Sequence, residues 1–269
     1  NGKTTVTTLI GRVLEAGGER IHICGNIGNP FSGQVSFMEP SDYVSLEVSS
    51  FQLERIDKFK PKISIILNFS RNHLDRYRNM QEYLEAKKRI FMNQDKNDYL
   101  VLNYNDPIVK ELARQTEAKV VYFKQRNNLN PNYSAVIAVA DILGINKNKC
   151  LDVLADFKGL EHRLEYVGQL NGIEFINDSK ATTVESTIWA LNNINNPVIL
   201  IAGGKDKGLD FSMARDLIKK KVKILILIGE AKELIKKSFH DVLPIQEAIA
   251  LENALDSAWN KADPGDCIL

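Results

Sequence analysis

The sequence opens Asn1-Gly2-Lys3-Thr4-Thr5-Val6-Thr7-Thr8-Leu9-Ile10-Gly11-Arg12-Val13-Leu14 and reaches Gly17-Gly18 shortly afterwards. Val6, Leu9, Ile10, Val13 and Leu14 share one face of a helix, and the two glycines close it. A helix that begins on Gly-Lys-Thr matches the second half of a phosphate-binding loop, with an ordinary polar helix start as the alternative reading. In such a loop, backbone N–H groups and the helix N-terminus cradle phosphates, the Lys neutralises them and the Thr hydroxyl binds Mg²⁺. The chain takes up this motif in its middle and closes on Cys267-Ile268-Leu269, an apolar run just beginning. Both ends therefore read as cut.

Working outward from that helix, short apolar runs alternate with helical stretches. Residues 21–24, 43–48, 63–67, 99–102 and 120–123 read as strands, and 80–92, 107–115, 133–143 and 147–157 as helices. The same alternation restarts after Phe157-Lys158-Gly159, with strands at 165–169, 173–177, 198–202, 224–228 and from 267, and helices at 184–192, 212–220, 231–239 and 249–261. This predicts an α/β protein with mostly parallel sheets covered on both faces, in two domains spanning 1–158 and 159–269. Length agrees, since 269 residues at roughly 150 per domain make about two. With 44% hydrophobic and 26% charged residues, the chain is globular, neither disordered nor a disulfide scaffold. Lys and Arg number 35 against 34 Asp and Glu, a net charge of +1, so no global basic field exists to hold nucleic acid or an anionic membrane. No apolar run approaches the roughly twenty residues that span a bilayer. Cys24, Cys150 and Cys267 are few and far apart, which predicts buried reduced thiols and a cytoplasmic setting.

Several clusters offer chemistry. Leu46-Glu47-Val48-Ser49-Ser50 puts one carboxylate at the carboxyl edge of an apolar strand, where α/β proteins bind ligands and where an acid would suit Mg²⁺. His73, in Asn72-His73-Leu74-Asp75, is open to reading as a metal ligand or a structural loop histidine. Ala86-Lys87-Lys88-Arg89-Ile90 reads by itself as a solvated charged face. In the second half, Asn177-Asp178-Ser179-Lys180-Ala181-Thr182 gathers an acid, a base and two hydroxyls after a strand. Gly203-Gly204-Lys205-Asp206-Lys207-Gly208 pairs close-approach glycines with cations suited to an anion. Arg163, in Leu160-Glu161-His162-Arg163, is placed near the domain junction to reach a phosphate.

Taken together these residues resemble the Mur ligase family, the ATP-dependent amide-bond ligases of peptidoglycan synthesis. The opening Asn1 to Thr5, Glu47-Val48-Ser49-Ser50 and Asn72-His73-Leu74-Asp75 carry the superfamily. Gly25-Asn26-Ile27-Gly28, Ser49-Ser50-Phe51-Gln52-Leu53, Gly159-Leu160-Glu161-His162-Arg163 and Asn177 to Thr182 resemble the branch that adds D-glutamate. The resemblance implies a P-loop-type central ATPase domain at 1–158, truncated at its start, and a Rossmann-like C-terminal domain at 159–269, truncated at its end. It implies that ATP phosphorylates the carboxylate of UDP-N-acetylmuramoyl-L-alanine and that the amine of D-glutamate attacks the acyl phosphate. Gly2, Lys3, Thr4, Thr5, Asn132, Arg163 and Asp178 would bind ATP, with Asp178 at the ribose. Thr4 and Glu47 would hold one Mg²⁺, and His73 with a carbamylated Lys87 a second. Lys88 competes with Lys87, which is preferred because it follows Ala86 and precedes Arg89-Ile90. Lys3, His73, Lys87 and Arg163 would be the catalytic group. Asn26 and Ser49 would contact the muramoyl substrate, while Lys180, Thr182 and Lys207 would receive the D-glutamate carboxylates. The adenine segment departs from the family pattern: Asn128-Leu129-Asn130-Pro131-Asn132 supplies only its second Asn, Asn132. A cytoplasmic monomer acting on small molecules, without nucleic-acid or membrane partners, is expected. Another amino-acid-adding ligase of the family, a P-loop kinase or a non-catalytic nucleotide-binding protein are the alternatives.

Overall fold

The computed structural model describes residues 1–70, 76–125, 130–205 and 208–269. The chain divides into two compact units, one of residues 1–70 with 77–158 and one of residues 71–76 with 159–269.

In the first unit, α1 (Lys3–Gly17) buries Val6, Leu9, Ile10, Val13 and Leu14. Gly18 ends it in a left-handed conformation (φ 98°), which lets its N–H return to the carbonyls of Leu14 and Glu15. Then follow β1 (Ile21–Gly25), α2 (Phe31–Gln34), β2 (Tyr43–Glu47), α3 (Ser50–Leu53), β3 (Ile63–Ile66), α4 (Met80–Lys88), β4 (Tyr99–Asn103), α5 (Pro107–Glu111), β5 (Lys119–Phe123), α6 (Pro131–Ile142) and α7 (Lys147–Ala155). All strand pairs here are parallel, but they form two ladders, β1-β2 and β3-β4-β5, rather than one sheet. A shared apolar layer unites them: Leu9, Val13, Ala135, Val136, Val139 and Leu154 of α1, α6 and α7 pack in one core with Tyr43 of β2 and with Ile63 and Val101 of the second ladder. Burying a side chain such as Leu9, fully enclosed here, contributes about 2 kcal/mol.

The two expected helices at 80–92 and 107–115 each end in a turn of 3₁₀ helix, Arg89–Phe91 and Leu112–Gln115. Arg89, which opens the first of these turns, donates its guanidinium to the carbonyls of Leu53 at 2.8 Å and Ile56 at 2.6 Å.

The second unit contains β6 (Glu165–Leu170), β7 (Ile173–Asn177), α8 (Val184–Asn193), β8 (Val198–Gly203), α9 (Arg215–Lys221), β9 (Val222–Ile228), α10 (Lys232–Phe239), β10 (Ile245–Glu247), α11 (Leu251–Trp259) and β11 (Cys267–Ile268). They build a six-stranded sheet ordered β10-β9-β8-β11-β7-β6, in which β6-β7 is an antiparallel hairpin and the other pairs are parallel. Cores lie on both faces, one around Leu191, Leu225, Leu227 and Phe239, the other around Ile199, Ile226, Ala254 and Ala258. The thiols of Cys24, Cys150 and Cys267 are all buried and unpaired with one another, and burial raises the pKa of each, Cys267 to about 12.

Candidate active site

The start of α1 is shaped by Gly2. This residue sits at φ 82°, a left-handed conformation open to glycine, and a side chain there would meet Asn132 Oδ1 at 2.2 Å. The amide of Asn132, in the first turn of α6, thus lies directly over the backbone that leads into Lys3 and Thr4. On the other side, Asn68, which follows β3, donates its Nδ2 to the carbonyl of Asn1 at 2.9 Å. Asn68 thus ties down the residue before Gly2, while Asn132 packs close against Gly2 itself. Lys3 is exposed and Thr4 half-buried.

At the carboxyl end of β2, Glu47 is 4% exposed. Its Oε1 accepts from Asn26 Nδ2 at 2.9 Å, whereas its Oε2 is buried with no hydrogen-bond partner among the described residues. A carboxylate shut away with half of its acceptor capacity unused is costly without a cation or donor. Asn26, expected on the muramoyl substrate, is here engaged with Glu47. Ser49 is the N-cap of α3: its hydroxyl lies 3.3 Å from the Gln52 N–H while Gln52 Oε1 accepts from the Ser49 N–H at 2.8 Å, a capping box.

Lys87, in the last turn of α4, has its Nζ 4.7 Å from the centroid of the Tyr83 ring. Burial, and secondarily the charge of Lys3, push its pKa down from 10.5 to about 8. Lys3 and Lys87, widely separated in sequence, are therefore electrostatic neighbours. Lys88 turns elsewhere and pairs with Glu85 at 2.6 Å. Tyr83 carries no motif; its signal was the spacing of four residues from Lys87 on one helix face.

In the second unit, the turn before β6 holds His162 at φ 62° and Leu164 at φ 46°, flanking Arg163. Asp178 accepts from the Leu164 N–H at 3.0 Å. Burial raises the Asp178 pKa, opposed by that hydrogen bond and by the Arg163 charge. Lys180 and Thr182 are exposed beyond β7. At the next strand ends, Gly203 is so close to β9 that a Cβ would lie 1.8 Å from the Ile228 carbonyl oxygen. Gly204 accepts from the Ala231 N–H at 2.8 Å, locking the two loops together. His73 and Lys207 lie outside the described residues.

Residues 1–174 match the Mur ligase middle domain, and residues 162–269 match the Mur ligase glutamate ligase domain. The chain belongs to the Mur ligase family. Among curated Mur ligase relatives, it is 37% identical to the UDP-N-acetylmuramoylalanine–D-glutamate ligase of Clostridioides difficile strain 630, over the whole of this chain and 68% of that protein. It is 38% identical to the same-named ligase of Geotalea uraniireducens strain Rf4, over all of this chain and 67% of the relative. The structure of MurF from Acinetobacter baumannii superposes with a TM-score of 0.78 at 15% identity, covering all of this chain and 70% of the other. E. coli FolC in complex with DHPP and ADP gives 0.76 at 14% identity, covering all of this chain and 83% of that one. These two likenesses show the Mur ligase fold. No helix among the described residues of this Mur ligase chain is long and apolar enough to cross a membrane.

Proposed function

We propose that the chain acts as an ATP-dependent amide ligase that adds D-glutamate to UDP-N-acetylmuramoyl-L-alanine in peptidoglycan precursor synthesis. The first unit serves as a P-loop-type ATPase and the second as a Rossmann-like domain. The observation that carries this reading is the convergence of Lys3 and Lys87. Two cations of which one lowers the other's pKa, beside the larger effect of burial, suit a site that receives anions.

The chemistry needs a carboxylate to take a phosphoryl group from ATP, giving an acyl phosphate, and an amine to displace phosphate from it. Charge develops on the transferring phosphoryl oxygens, so positioned donors and cations matter most. The N–H groups at the start of α1, Lys3 and Thr4 receive the nucleotide phosphates, and Asn132, packed over Gly2, contacts the base. Glu47 and Thr4 suit Mg²⁺, which prefers one or two protein oxygens together with phosphate and water. The unused Glu47 Oε2 is the atom that fits. When bound, that ion would neutralise phosphate charge and hold the transferring group in line. His73 and Lys87 would hold a second such ion. With a pKa near 8, Lys87 keeps a reactive fraction of neutral amine at neutral pH. That amine adds CO₂ to give a carbamate and a released proton, turning a repelling cation into an oxygen ligand. Arg163 and Asp178 would bind the nucleotide, and Lys180, Thr182 and Lys207 would receive the D-glutamate carboxylates. Asn26 and Ser49 contact the muramoyl substrate, and the protein works as a cytoplasmic monomer.

The test is phosphate release together with product mass. Release should require ATP, the UDP-muramoyl-L-alanine acceptor and D-glutamate, and the product should gain one glutamyl residue and no phosphorus. Equal turnover with L-alanine or a diamino acid would redirect the reading to another member of the family. A product that keeps its phosphate would indicate a kinase, and no phosphate release a nucleotide-binding protein without catalysis.

A further inference from the structure

Two turns of the second unit, the one carrying Arg163 and the one carrying Lys180, are stitched into a single body by His162. The His162 N–H donates to Glu165 Oε2 at 2.7 Å, and its carbonyl accepts from the Lys180 N–H at 3.1 Å. These bonds hold a non-glycine residue in the left-handed region, at φ 62°, which costs roughly 1–2 kcal/mol and persists only where surrounding bonds impose it. The imidazole is held as well, its Nδ1 lying 2.8 Å from Asn177 Nδ2.

The direction of that last bond follows from a third residue. The backbone N–H of Ser179 points at the other end of the Asn177 amide, at 3.0 Å. A peptide N–H can only donate, so the atom it meets must be the amide oxygen, and the atom facing His162 must be the NH₂ group. An NH₂ group can only donate, so Nδ1 of His162 must accept. In the neutral ring the proton therefore resides on Nε2. Glu165 Oε2 accepts from the His162 backbone N–H at 2.7 Å and lies 3.5 Å from both His162 Nδ1 and Asn177 Nδ2, so the 2.8 Å contact between those two nitrogens is much the closer one.

We propose that Asn177 is a positioning residue that holds Nδ1 of His162 as an acceptor and keeps the ring proton on Nε2, so that the turn bearing Arg163 also offers an N–H donor to an anionic ligand of the second unit. This rests on the ligase reading above. The lock also explains why Asn177 stands at the end of β7: the backbone of Ser179 and the ring of His162 use its two amide ends at once.

The decisive variant is Asn177→Asp in the full protein. It preserves size and the acceptor for Ser179, but presents His162 with a carboxylate oxygen, which can only accept; Nδ1 must then carry the proton. Selective ¹⁵N-histidine labelling, with His162 assigned through His162→Gln, reads the tautomer at neutral pH. The expected result is protonated Nε2 in the unaltered protein and protonated Nδ1 in the Asp variant. With it, kcat should fall about tenfold or more, the usual loss when a hydrogen bond to a charged group is removed. Glu165→Gln, which keeps an oxygen for the His162 N–H, should leave Nε2 protonated. Protonated Nδ1 in the unaltered protein overturns the lock and needs no variant to detect. The same tautomer in both proteins overturns it too, and a tautomer switch with kcat within twofold overturns its role in the reaction. If the unaltered protein ligates nothing, the assigned reaction falls, and that outcome is separate from the tautomer measurement.

Discussion

Replacing Lys87 by Met removes a charge that the folded chain holds at a cost. Burial, helped by Lys3, lowers the Lys87 pKa from 10.5 to about 8, so at neutral pH the ammonium costs the folded state about 3 kcal/mol relative to the unfolded chain. The Tyr83 ring, 4.7 Å from Nζ, returns about 1 kcal/mol through its attraction for cations. The net is about 2 kcal/mol, and a Met of similar length should recover it. The pH dependence has a definite sign. Between about 8 and 10.5 the unfolded chain still binds a proton that the folded chain has released, so this residue makes stability rise with pH across that window. Below 8 both states hold the proton and the cost is constant. Urea unfolding in CO₂-free buffer should show Lys87→Met more stable at pH 7 by about 2 kcal/mol, with the difference shrinking towards pH 10.5. A variant less stable at pH 7, or a difference that does not change with pH, would refute the reasoning. The same variant should lose turnover that added bicarbonate cannot restore.

Glu47→Gln keeps an oxygen for Asn26 and removes the charge beside the unpartnered Oε2. Calorimetric nucleotide affinity in Mg²⁺ should fall at least tenfold; unchanged affinity in Mg²⁺ would sink the assignment of Glu47. Gly2→Ala places a methyl 2.2 Å from Asn132 Oδ1 on a residue at φ 82°, costing about 1–2 kcal/mol from the backbone alone. It should weaken nucleotide binding about tenfold, and an unaltered Kd would show that the loop relaxes without involving Asn132.

Legibility in the sequence followed the range of the interactions concerned. The face of α1, its glycine stop and most strands could be read because each is set by residues a few positions apart. The short helices α2 and α3 and the strand β10 escaped, since a single helical turn or a three-residue strand carries no usable periodicity. At the site, residue types could be read but pairings could not. Nothing near Asn26 announces that it meets Glu47, and Lys87 looks like one member of a charged helix face until Tyr83 and Lys3 enclose it. The turn around Arg163 was hidden for a different reason. His162 and Leu164 adopt positive φ against their own preference, held there by Glu165, Asp178 and the Lys180 backbone, so local propensity points the wrong way.

The position of β11 bears on how the second unit comes into being. Cys267 and Ile268 pair with β7 on one side and β8 on the other, so residues at the end of the described chain occupy the centre of the six-stranded sheet. As the polypeptide leaves the ribosome, the β6-β7 hairpin and the β8-β9-β10 ladder emerge first, and the ladder hydrogen bonds that link them await β11. For that interval two unfilled strand edges face the cell, open to chaperones and to other nascent chains. A nascent chain arrested with β11 still inside the ribosome should therefore hold a protease-sensitive second unit, and emergence of β11 should close it.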